Sequence, residues 1–137
     1  ITPAGDTLYG GGGIMPDIFV PIDTTTYPVI VNRLLSNGQV NNYVYRYYLQ
    51  NRASIDKLKG PAEFSMQFAV GDKLLEGLQR DLGDSIPIRQ LDTASKVLVE
   101  RQMAAYLARF RWHNNGYFQV RNEDDPMIKI ALNILKK

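Results

Sequence analysis

Cysteine is absent from the 137 residues, which excludes disulfides, thiolate metal sites and thiol catalysis together while leaving the compartment open. Histidine occurs once, as His113. A lone imidazole has no second ligand or relay partner, so its ordinary role at a helix end is capping or packing. Net charge is small: 22% of residues are charged, an ordinary share, and the balance is +2, so bulk electrostatics give no support for a nucleic-acid or membrane-surface role. No apolar run approaches the roughly 20 residues of a membrane-crossing helix, so neither a membrane span nor a signal peptide is expected within these residues. The first residue is Ile1 and not Met, which reads as the start of a fragment produced by processing or design.

What the chain has is enough core for one domain. With 45% hydrophobic residues, a chain of this length buries roughly two thirds of the surface it exposes when unfolded. The class expected is mainly α, organised around one long helix. Residues 88–112, IRQLDTASKVLVERQMAAYLARFRW, form the longest run without glycine or proline, and their composition favours helix. Leu91, Ala94, Leu98, Ala105 and Trp112 fall near one face, widened by Val97, Ala104, Leu107 and Ala108. Trp112 and Leu98 are accordingly expected to face the core.

Glycine and proline are concentrated at the opening, where ITPAGDTLYGGGGIMPDIFVPIDTTTYP holds five of eleven glycines and four of seven prolines. The β-prone runs Thr7–Tyr9 and Ile14–Val20 flank Gly10–Gly13, predicting a hairpin or a single edge strand, either self-paired or paired with a neighbouring chain. Helices are then predicted after the Thr26 cap and Pro28, closing at Asn37-Gly38; from Val40 to Lys57; from Pro61 to Phe68; and from an Asp72 cap to Gly83. Asn114-Asn115-Gly116 reads as a turn. Asp125-Pro126 is the clearest helix start, with Ile128, Ala131, Leu132 and Leu135 as the buried stripe that follows.

Each candidate for chemistry has a simpler reading. The four glycines could wrap a phosphate, but no Gly-Lys-Ser/Thr follows and the next element is extended. Ser54-Ile55-Asp56-Lys57 spells Ser-x-x-Lys, yet the partner motifs Ser-Asp-Asn and Lys-Thr-Gly are missing. Glu123, Asp124 and Asp125 lack the spacing of a calcium loop and fit helix capping instead. Arg101, Arg109 and Arg111 with Tyr106 and Trp112 form a basic-aromatic mixture that could meet RNA or an acidic peptide, although an ordinary solvated face accounts for it. Tyr43, Tyr45, Tyr47 and Tyr48 point around more than half of a helix, which implies an interface for some of them. No catalytic, cofactor-binding or metal-binding residue is assigned, no cofactor is expected, and no nucleic-acid partner is expected.

The string Tyr9 to Asp23, YGGGGIMPDIFVPID, resembles a segment near the end of the catalytic domain of C-terminal processing peptidases, the tail-specific serine proteases. The four glycines are similar to those of its Bacteroidetes-like branch, and the stretch from Ala104 to Phe118, with Ala108, Arg109 and Trp112 followed by Tyr117-Phe118, is similar to the helical tails of that branch. The resemblance implies residues 1–23 as the end of a catalytic domain and residues 24–137 as the helical domain behind it. It further implies a periplasmic or envelope location and a parent serine endopeptidase whose serine and lysine lie elsewhere. On that reading the chain is noncatalytic, scaffolding the upstream catalytic and peptide-binding domains and contributing homodimer contacts. The alternative is an independent helical module that binds a protein or peptide through its tyrosine face.

Overall fold

The computed structural model describes residues 18–21, 28–36, 38–67, 71–83 and 86–136. These form a mainly α architecture with no strand among them: α1 (Val29–Ser36), α2 (Gln39–Ile55), α3 (Pro61–Gln67), α4 (Asp72–Leu82), a short 3-10 turn (Ile88–Gln90), α5 (Thr93–Asn122) and α6 (Pro126–Leu135). Thr7–Tyr9, Gly10–Gly13, Ile14–Asp17, Thr26, Asn37, Phe68 and the domain boundary expected near residue 23 lie outside the described residues. The described end of the expected strand, residues 18–21, is irregular.

α5 is the hub, packing against α1, α2 and α3. It starts later than its composition predicts, because Asp92 intervenes: its side chain accepts hydrogen bonds from the Ser95 N–H and Oγ, both at 2.8 Å. That interaction caps the helix at Thr93 and leaves Ile88–Gln90 as a separate turn. The cap also holds the Asp92 carboxyl below the usual carboxylate range, the Ser95 backbone hydrogen bond being the main cause and the Ser95 hydroxyl the next.

The face α5 turns inward is also shifted from the expected one. Ser95, Val99, Met103 and Leu107 are fully buried, Ala94 is exposed, and Leu98 is only half-buried. Trp112 is likewise half-buried, its ring meeting Phe64 of α3 edge-on at 5.7 Å. From α2 come Val40, Val44 and Ile55, from α1 Val31 and Leu34, and from α4 Leu74, Leu75 and Leu78, joining these in one cluster.

α5 is not one straight rod. Trp112 (φ −119°, ψ 17°) and His113 (φ 56°, ψ −146°) are non-helical and divide it into a first arm, residues 93–111, and a second arm, residues 114–122. Beyond the break the chain runs back along itself. An ideal Cβ on Gly116 would lie 2.6 Å from the Ala108 carbonyl oxygen, Tyr117 stacks on Tyr106 with centroids 6.1 Å apart, and Arg101 reaches Asp124 at 2.8 Å. Contacts at growing separation on both sides of the break define an antiparallel pair of arms. Asn114-Asn115-Gly116, read as a turn from sequence, is therefore helical, and Gly116 is there for the close approach of the arms.

Candidate functional site

The element that stands apart is α6. Asp125 caps it, its Oδ1 accepting from the N–H groups of Met127 at 2.8 Å and Ile128 at 3.2 Å, and Pro126 fills the first helical position. Asp124 anchors the same end: Oδ1 takes Lys129 Nζ and Oδ2 takes Arg101 Nη2, each at 2.8 Å. The hydrogen bond from Lys129, with the Arg101 charge second, holds the Asp124 carboxyl below its ordinary value.

The expected buried stripe does not form. α6 buries none of its residues; Met127, Ile130, Leu132, Ile134 and Leu135 are 45%, 37%, 49%, 43% and 82% exposed. Ile128 alone is half-buried. Met127, Ile130, Ala131, Ile134 and Leu135 recur at steps of three and four, so they share one side, while Lys129, Asn133 and Lys136 share the other. A short helix with one apolar side gains little from standing in water, so such a side marks a contact surface.

At the root of α6 lies an open groove of about 200 Å³ between α3 and the two arms of α5. The buried Phe64 and Val120 form its floor, Val97 and Ala104 its exposed apolar part, and Glu123 and Asp124, with Glu100 and Arg101, its charged edge. Asp124 thus belongs to the groove and to the anchor of α6 at once.

The other residues that sequence singled out are dispersed. Ser54 and Lys57 are both exposed near the end of α2. His113 is exposed at the reversal. Arg101 and Arg111 are taken up by Asp124 and Asp56, the second at 2.9 Å. Arg109 lies over the Tyr117 ring at 5.6 Å, whose hydroxyl accepts from Gln102 Nε2 and Arg121 Nη1 at 3.2 Å each. Among the described residues, no group of three His, Asp or Glu side chains could hold a metal ion, and no helix is long and apolar enough to cross a membrane.

The tyrosines of α2 are largely spent inside the domain. Tyr48 is buried, Tyr43 and Tyr47 pack against the core, and Tyr43 places its hydroxyl where a Cβ on Gly77 would stand, 2.0 Å away. Burial is the main reason the Tyr43 phenol is pushed above its usual pKa. Tyr45 is half exposed but lies against Phe110, with centroids 5.1 Å apart. Among the described residues, the large exposed apolar side chains are thus gathered on α6 more than on the tyrosine face of α2.

A family model described as a family of unknown function (DUF8443) matches residues 30–113, 84 of the 137 residues. The chain belongs to that family. No curated protein and no solved structure matches the chain. The family match corrects the resemblance to C-terminal processing peptidases, since it covers the helical body and carries no peptidase assignment. The resemblance rested on a short Gly/Pro-rich string, and such strings recur wherever a chain needs loops of this kind. The described end of that string is irregular, with Phe19 79% exposed. The parent peptidase, the envelope location and the upstream catalytic domain stood on that resemblance alone and lose their ground with it.

Proposed function

We propose that this member of the DUF8443 family is a noncatalytic helical interaction module that binds a partner protein through the apolar side of α6. The observation that carries the reading is an anchored, capped helix with five large apolar side chains at least a third exposed. The body formed by α1–α5 supplies a rigid mount. The ion pairs of Asp124 fix the direction in which α6 leaves it. Preorganisation of that kind lowers the entropy lost when a partner docks.

The test is a double substitution, Ile130→Ser with Ile134→Ser, compared with the parent chain at high dilution. A docking surface predicts an unchanged circular dichroism spectrum and an unfolding free energy within about 0.5 kcal/mol of the parent, as for exposed sites generally. A loss of several kcal/mol would place these side chains in the core of the free chain and end the reading.

A further inference from the structure

Resting on that reading, we infer that the partner of α6 is a second copy of this chain, each α6 lying in the groove formed by α3 and the two arms of α5 of the other. Two features point to this occupant. The first is position. α6 begins at the groove, because Asp124 lines it and also holds Lys129. A two-fold axis beside Asp124 therefore brings both helices and both grooves into one surface. Such an interface is self-complementary and closed, so it stops at two copies.

The second feature is chemical match. The groove exposes Val97 and part of Ala104 between charged edges, Glu123 among them, and α6 offers Ile130, Ile134 and Leu135 with Lys136 at its end. Glu123 and Lys136 form no ion pair among the described residues, so each is open to a charge on a neighbour. In the exchanged arrangement Lys136 approaches the partner's Glu123. The contact is confined to one short helix and one shallow groove on each copy, so the dimer should dissociate on dilution.

The experiment is sedimentation velocity on the full chain over a wide concentration range, with variants on each side of the contact. The parent chain is expected to pass from monomer to dimer as concentration rises. Val97→Lys in the groove and Ile134→Lys on α6 are each expected to weaken dimerisation at least tenfold, about 1.4 kcal/mol, with an unchanged monomer spectrum. Glu123→Lys and Lys136→Glu should each weaken it, and the double exchange should restore it, which a general loss of fold would not do. A monomer at every concentration overturns the inference; if hydrogen exchange then shows α6 folded and unprotected by contacts, the docking reading stands with a different protein as partner. A dimer indifferent to Val97→Lys, or charge variants without rescue, also overturns it. Unfolding of the monomer by Ile134→Lys would remove the docking reading as well.

Discussion

Replacing Gly116 by Ala tests the antiparallel arms of α5 at their tightest point. The added Cβ would stand 2.6 Å from the Ala108 carbonyl oxygen and 2.8 Å from the Trp112 Cβ, both fixed by backbone, so the second arm must move away from the first. Overpacking of this kind costs about 1–3 kcal/mol, and a clash with backbone belongs at the upper end. Alanine returns about 1 kcal/mol of helix propensity within the second arm. The net expectation is a loss of about 2 kcal/mol, or some 6–8 °C in midpoint for a chain of this size. Gly77→Ala is the control. Its Cβ would meet Tyr43 Oη at only 2.0 Å, a closer clash, but the phenol is the end of a side chain that can swing aside. Its net effect should be within about 0.5 kcal/mol of zero, because the propensity gain offsets the displacement. Both are read by urea unfolding followed by circular dichroism. A Gly116→Ala chain as stable as the parent would refute the packed-arm geometry, and a Gly77→Ala chain more damaged than the Gly116→Ala chain would mean that Tyr43 cannot swing aside.

Three further outcomes follow from single residues. His113 holds φ 56° with ψ −146°, a region nearly reserved for glycine, so His113→Gly should raise stability by about 1 kcal/mol in thermal unfolding, and a decrease would mean that the imidazole makes a needed contact. Met103 is fully buried, so Met103→Ala should cost about 2–5 kcal/mol by chemical unfolding, while Leu98→Ala at its half-buried site should cost clearly less. The carboxyls of Asp92 and Asp124 have lowered pKa values in the folded chain. Their contribution is therefore complete above the unfolded carboxylate pKa of about 4 and is lost as pH falls through the folded values. An unfolding midpoint as high at pH 3 as at pH 7 would contradict this.

What sequence made legible was local. Asp125-Pro126 announces a helix because a cap and a preset φ need only neighbouring residues, and the glycine-proline breaks bounded α2, α3 and α4 within a residue or two. The inward face of α5 was not legible in the same way. Apolar residues surround much of the first arm, so periodicity admitted Leu98 as readily as Val99, and the choice is made by helices distant in sequence. The expected helix end at Trp112 and turn at Asn114-Asn115-Gly116 came within two residues of the reversal, but its place at Trp112-His113 and the helical arm that follows were not read. Histidine enters positive φ mainly in the left-handed helical well, and ψ −146° lies outside it, so that conformation is imposed by the contacts of Gly116, Tyr117 and Asp124 with the first arm. For α6, amphipathic spacing told that apolar surface must be covered, but spacing carries no information on whether the cover comes from the same chain.

The late place of α5 in the chain has a consequence for synthesis. α1, α2 and α3 all pack on a helix that begins only at Thr93. A ribosome adding about 5–20 residues per second delivers the first arm of α5 on the order of ten seconds or less after α2 is complete. During that interval Val40, Val44 and Ile55 have no α5 to cover them, so nascent chains from which α2 has emerged from the ribosome and α5 has not should recruit a chaperone, and chains whose first arm of α5 has also emerged should not.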